Sequence, residues 1–391
     1  MAPAGDVRLV TRAQMPPARF GAGDPEALRE VARLLVQSDR PLVLTATTGR
    51  SRQGFDGLLE LAELLALPVV ERRERTNFSP NHGLHQGFDP APLVGSADLI
   101  LVLDHDVPYI PTQASPAPDA TVVQIDLDPI KERIPLWSFP VTMPIRADTG
   151  RALAVIAGYA ADLLTDTIRK RIEARRAALT SAHEQRRAAW DAAAQAARSL
   201  RPIARAWLSY CLGQLQREAP ACVFVDETVT SSQTLWQYLS NDEPGTIFGS
   251  GGSGLGWGTG AAVGIKLALP DRPVVLLTGD GSFVFGAPLA ALWAARAHDA
   301  PVLIVIFNNG CYNATREPLV GAYPDGYSVR GGRFVGIDLM PSPRYDLLGP
   351  VVGAVGERIE DPGEVLPALR RGLEHVRHGR SAILDVILAH P

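Results

Sequence analysis

The chain has 391 residues and a formal net charge of −4, with 46% hydrophobic and 20% charged residues, the balance of an ordinary globular protein large enough for two or three domain cores. The charge excludes a polybasic nucleic-acid or anionic-membrane surface, no apolar run reaches the roughly 20 residues of a membrane span, and the opening MAPAGDVRLVTRAQ lacks a signal-peptide core. Cys211, Cys222 and Cys311 are widely spaced and odd in number, which points to a reducing cytoplasm and away from a disulfide framework or zinc cluster.

From residue 23 to 165 strand and helix patterns alternate. PLVLTATT (41–48), LPVVER (67–72), DLILVLD (98–104) and TVVQIDLD (121–128) are short β-rich runs. DPEALREVARLLVQS (24–38) opens with an Asp N-cap and a proline at the first helical position, and FDGLLELAELLAL (55–67) is a second helix. Such alternation predicts a doubly wound α/β domain with a parallel sheet. TATTGRSRQGF after the first strand is no G-x-G-x-x-G loop, so no dinucleotide signature is present.

Residues 166–200 change character. Rich in Ala, Arg and Glu and free of strand candidates, they predict an exposed linker helix, broken at most once, with a solvated Arg-rich face. Residues 201–391 form a second α/β unit. Strands are expected at 221–227, 245–249, 272–278, 301–308 and 381–388. Helices are expected at 203–217, 257–268, 286–298, 343–355 and 362–376, with Gly349-Pro350 bending or ending the fourth.

One βαβ unit carries the chemistry. The all-apolar strand ending in LLT runs into Gly279-Asp280-Gly281, and the next strand ends at Asn308-Asn309. Ligands of open α/β sheets bind outside the carboxyl ends of the strands. The glycines permit a tight turn and close approach, while Asp280 and the two asparagines bring hard oxygens to one crevice, a donor set suited to Mg²⁺ or Ca²⁺ shared with phosphate. A helix following GDG would aim N–H groups at an anion. TVTSS (228–232) reads equally as a hydroxyl-rich ligand grip or as a helix cap with solvated hydroxyls. GSGGSGLGWGTGAA (249–262), with seven glycines, reads as bare backbone under a flat ligand or as a flexible turn.

The stretch GDGSFVFGAPLAALWAARAHDAPVLIVIFNNG, and nearly the whole chain with it, resembles thiamine diphosphate enzymes of the acetolactate synthase and benzoylformate decarboxylase superfamily. The resemblance implies that Asp280, the Asn309 side chain and the Cys311 carbonyl hold Mg²⁺ on the diphosphate. It implies that Glu227, Thr230, Ser231, Gly254, Gly279, Gly281, Ser282 and Tyr312 line the cofactor site. Leu255 is implied as the wedge that bends thiamine diphosphate into a V, and the Ser253 carbonyl as the acceptor of its exocyclic amine. These last two are the residues expected to act in catalysis.

The resemblance covers the family's central domain and diphosphate-binding domain, with residues 1–22 as the extended segment before them. The pyrimidine-binding domain, which supplies the activating glutamate, has no counterpart. Glu71 and Glu74 fall in the central domain, and Glu227 on the diphosphate side. The Trp that follows NN in acetolactate synthases proper is missing from NNGCYNATREPLVG. Where benzoylformate decarboxylases place a catalytic histidine, His105 comes early and Tyr109 lies nearer. His82 and His85 read as surface or loop residues.

The expectation is therefore a subunit that joins a separate pyrimidine-domain partner, as a heterotetramer or larger, in a lyase or carboligase acting on a 2-oxo acid. A non-catalytic cofactor-binding or assembly subunit is the alternative, which the intact GDG, NN and Gly-rich loop argue against. A truncated piece of a longer enzyme is the third reading.

Overall fold

A computed structural model describes residues 10–16, 18–240, 242–252 and 254–391. The first unit comprises α1 (Pro25–Gln37), β1 (Pro41–Thr45), α2 (Arg52–Leu65), β2 (Val69–Glu71), α3 (Ala91–Val94), β3 (Leu99–Leu103), β4 (Thr121–Asp126), β5 (Met143–Arg146) and α4 (Thr149–Asp162). Its strands make a five-stranded parallel sheet in the order β2-β1-β3-β4-β5. Local signals account for the helix starts. Asp24 accepts from the Ala27 amide with Pro25 behind it, and Ser51 caps α2 through the Gly54 amide. One apolar layer, including Val31, Leu58, Leu61, Leu101 and Leu153, packs α1, α2 and α4 onto the sheet. β1 and β3 are buried at every position, as central parallel strands are.

A single unbroken helix, α5 (Asp166–Ala196), spans 31 residues. The expected solvated Arg-rich face is corrected here: much of it is a row of staples. Arg175 donates to the carbonyls of Leu65, Ala66 and Ser38, Arg186 to His85, and Arg187 to Gln237. These arginines satisfy helix-end and loop carbonyls that would otherwise lack partners. Burial pulls Arg175 down to about 10.

The second unit comprises α6 (Arg205–Glu218), β6 (Val223–Glu227), α7 (Ser232–Trp236), β7 (Ile247–Gly249), α8 (Trp257–Ala268), β8 (Val274–Gly279), α9 (Asp280–Phe285), α10 (Pro288–Ala297), β9 (Leu303–Asn308), α11 (Asn313–Ala322), α12 (Tyr327–Gly331), α13 (Leu348–Val351), β10 (Val355–Ile359), α14 (Val365–Arg377) and β11 (Ala382–Ile387). Its parallel sheet runs β10-β11-β9-β8-β6-β7.

One expected helix differs. The run 343–355 holds only a 3-10 turn and α13 before turning into the edge strand β10, because the Tyr345–Asp346 backbone lies on that strand: a Cβ at Gly356 would sit 1.7 Å from the Asp346 carbonyl oxygen. The helix expected at 286–298 is α10, and the short α9 precedes it, with Ala287 at φ 48° between the two. α11 was hidden by Pro318 inside it, and β5 by its half-exposed pattern.

The units touch through short backbone and ring contacts. The Gly249 amide donates to the Glu74 carbonyl at 2.7 Å, Arg75 bridges to Phe248, and the Phe88 and Trp236 rings meet edge-to-face at 5.8 Å. No helix among the described residues is long and apolar enough to cross a membrane.

Candidate functional site

In the second sheet the chain leaves β6 for β7 on one side, then returns to β8 and β9 on the other. The carboxyl ends of β6 and β8 therefore flank a topological switch point, where open α/β sheets bind ligands. An open pocket of about 1010 Å³ lies there. Its walls come from both units: Arg73, His105 and Tyr109 on one side, and Glu227, Leu255, Asp280 and Asn309 on the other.

Asp280 is 2% exposed and begins α9 directly, so GDG is the strand-to-helix corner itself. One carboxylate oxygen accepts from the Gly310 amide at 2.8 Å. Burial pushes its pKa up to about 6, with backbone N–H groups opposing the rise. The Asn309 side-chain oxygen also lines the pocket and accepts from the Cys311 amide at 3.0 Å. Asn308 does not reach the crevice, contrary to expectation. Its amide turns to the Asp385 carboxylate at 2.8 Å and to Ser342 at 2.9 Å. Successive strand residues point to opposite faces, so only one of the two asparagines can serve the pocket. Gly281 is needed for packing: a Cβ there would meet the Tyr312 ring at 2.6 Å.

Glu227 supports the glycine-rich loop. Its two carboxylate oxygens accept from the Gly256 and Gly258 amides at 2.5 and 2.8 Å, capping α8 with negative charge. Burial raises its pKa while those amides pull it down. Gly256, at φ +87°, packs against Gly286, leaving no room for a side chain at either. Leu255 is 38% exposed and lines the pocket beside Gly254. Ser253 lies outside the described residues.

Near the carboxyl end of β6, Asp226 gathers the Thr228 amide and hydroxyl, the Ser232 hydroxyl and the Trp236 indole N–H. This network pins the next turn, in which Val229 takes φ 52°. A β-branched residue in the left-handed region is strained and persists only where its surroundings hold it. Thr230, Ser231 and Ser282 line the pocket around that turn.

The lining fits a metal-bound diphosphate. Oxygen donors, a buried carboxylate met by N–H groups alone among its hydrogen-bond partners, and backbone left open at Gly252 and Gly254 suit a cation with an anionic ligand. Three buried polar atoms without partners also belong to lining residues: the Tyr109 hydroxyl, the Trp257 indole nitrogen and the Asn313 side-chain oxygen. Such orphans are costly unless a ligand meets them.

Sequence reasoning missed Trp257, Asn313 and Arg73, since nothing in their local pattern marks them. The two histidines left unassigned to chemistry divide. His82 is a half-buried loop residue near Glu63, whereas His85, also in the loop, is buried against Glu71 at 3.2 Å and is not a surface residue. His105 lines the pocket, where burial lowers it to about 3 and keeps it neutral.

Residues 228–386 match the family described as thiamine pyrophosphate enzyme, C-terminal TPP binding domain. The chain is 30% identical to benzoylformate decarboxylase of Pseudomonas aeruginosa over 330 residues, 81% of this chain and 56% of that protein. It is 26% identical to the acetolactate synthase isozyme 3 large subunit of Escherichia coli over 383 residues, 93% of this chain and 62% of the relative. It thus spans less than two thirds of the length of these relatives. In fold it resembles the crystal structure of benzoylformate decarboxylase from Polynucleobacter necessarius, with TM-score 0.71 and 20% identity over 98% of this chain and 68% of that one. Residues 228–386 thus carry the thiamine pyrophosphate enzyme C-terminal domain, and the chain as a whole is similar to thiamine diphosphate-dependent enzymes.

Proposed function

We propose that this chain is the diphosphate-binding subunit of a thiamine diphosphate- and Mg²⁺-dependent enzyme that decarboxylates a 2-oxo acid and releases the product or joins it to a carbonyl acceptor. A separate pyrimidine-domain subunit completes the site. The observation that carries this reading is Asp280, a buried carboxylate with a raised pKa at an open switch point, beside the Asn309 oxygen. Bound thiamine diphosphate supplies the electron sink for loss of CO₂.

The chain's own residues hold and shape. Asp280, the Asn309 side chain and the Cys311 carbonyl hold the cation. Thr230, Ser231 and Ser282, with the backbone at Gly279 and Gly281, grip the diphosphate. Leu255, beside Gly254, fixes the bend, and Tyr312 closes the wall. Glu227 acts through the loop it caps.

Support for a partner comes from the surface. Leu255, Phe285, Leu289, Trp293 and Val351 are exposed, and Leu289, Trp293 and Val351 share one concave patch. Exposed apolar patches of this kind mark protein contacts.

The test is proton exchange at the thiazolium carbon, followed by NMR for this chain alone and after adding a pyrimidine-domain subunit. Exchange is expected in the mixture only, in a complex holding at least two copies of each chain by sedimentation. Trp293→Asp should abolish the complex and leave diphosphate binding intact. Fast exchange from this chain alone overturns the partner requirement. Cofactor binding without exchange in the complex favours the assembly-subunit reading.

A further inference from the structure

We infer that the side chains of Cys311, Asp338 and His390 form a second cation site, of the zinc class, distinct from the Asp280 site. The Cys311 thiol, an Asp338 carboxylate oxygen and a His390 ring nitrogen all lie within 4.8 Å of one another. The Asp338 and His390 atoms are 3.7 Å apart. Ligands of a tetrahedral zinc ion stand roughly 3.4–3.6 Å apart, so closing the trio requires shifts of about 1 Å or less. Mixed sulfur, nitrogen and oxygen donors are the set such ions select over Mg²⁺.

The scaffold holds two of the three ligands in place before any ion binds. Cys311 and Asp338 are bridged antiparallel. The Tyr312 amide donates to the Ile337 carbonyl at 2.9 Å, and the Leu339 amide to the Gly310 carbonyl at 2.7 Å. His390 follows β11, whose pairing continues through the Leu388 amide to the Asn308 carbonyl at 2.8 Å. That brings the His390 ring against Gly310: a Cβ at Gly310 would meet the ring 3.4 Å away.

One side of the site is dry and the other open. Cys311 is buried in a small apolar cluster with Phe334 and Ile337, whereas the Asp338 and His390 side chains are 33% and 43% exposed. Three protein ligands thus leave a fourth position to solvent. Binding replaces the thiol proton by the metal, with the proton released to water.

Cys311 would then serve two ions through two different atoms. Its carbonyl belongs to the cofactor side and its sulfur to this site. An ion here ties the residues after β11 and the 334–340 loop to the segment carrying Asn309.

The experiment is titration of the full chain with Co²⁺ in excess Mg²⁺, read by absorption. A near-ultraviolet thiolate-to-cobalt charge-transfer band with intense tetrahedral ligand-field bands is expected. Cys311→Ser should abolish the charge-transfer band. His390→Ala, at an exposed position that leaves the core untouched, should weaken Co²⁺ binding by at least about tenfold. Asp280→Ala should keep the band, which separates this site from the cofactor cation. A band that survives in Cys311→Ser, or affinity unchanged in His390→Ala, overturns the proposal, as does a wild-type titration with weak octahedral bands alone.

Discussion

The two sheets present the same feature in opposite states. In the first, the switch point lies between β1 and β3 and is filled by the protein itself. There Asp104, with φ 47°, is buried; Arg50 donates to one oxygen of its carboxylate at 3.1 Å and Thr48 to the other at 3.3 Å. In the second, the switch point lies between β6 and β8, and Asp280 is met by backbone amides rather than by a cation. Burial raises both carboxyls, but only Asp104 has a guanidinium opposing the rise. A buried charge needs a partner, and the first unit carries one covalently while the second must recruit it. An α/β topology offers a ligand crevice in each sheet; side chains decide which one stays open.

Substitutions can test that contrast. Asp280→Ala should have the largest effect, weakening Mg²⁺-dependent thiamine diphosphate binding by more than about 100-fold, since even outer-shell changes at metal sites cost 10–100-fold. Calorimetry with unchanged affinity would remove Asp280 from the site. Glu227→Gln keeps the shape but weakens two amide bonds to the α8 cap. It should cost about 1–3 kcal/mol in denaturant unfolding and lower cofactor affinity through the loop.

Arg50→Ala breaks the closed crevice and should leave cofactor binding unchanged. Asp104 holds its proton more tightly folded than unfolded, because its folded pKa is raised. Its contribution is thus most favourable below the unfolded pKa of about 3.9 and declines as pH rises through the folded one. Arg50 offsets that decline and acts on the ionised form alone. Its removal should cost about 1–2 kcal/mol at about pH 7 and fade towards about pH 4. A loss independent of pH would show that packing, not charge, closes this crevice. Leu255→Ala should be the mildest for stability, within about 0.5 kcal/mol. In the reconstituted complex it should still slow turnover by about tenfold, roughly 1.4 kcal/mol of barrier. Normal turnover there would take Leu255 out of the wedge role.

Much of this site was legible in the chain. The apolar run of β8 with GDG behind it, and that of β9 ending at NN, place Asp280 and Asn309 together, because parallel strands end on one side of a sheet. Val229 was not legible: no local signal says that a β-branched residue will hold a left-handed turn, and the Asp226 network that holds it forms only after α7 packs. Trp257 and Asn313 were equally silent, since an orphaned polar atom is defined by what fails to surround it. The arginines of α5 misled for a related reason. Helical spacing shows a charged face, but not that carbonyls of two units lie against it.

By itself, then, the sequence determined the repeated α/β pattern, the parallel sheets and the hard-oxygen corner, because these depend on period-2 and period-3.6 patterning and on glycine geometry within a few dozen residues. Only the tertiary structure decided which asparagine faces the pocket, which crevice is plugged, and that Cys311, Asp338 and His390 converge. Those outcomes turn on strand register and on pairings between segments up to 79 positions apart along the chain, the span from Cys311 to His390 (390 − 311). No local pattern encodes such distances.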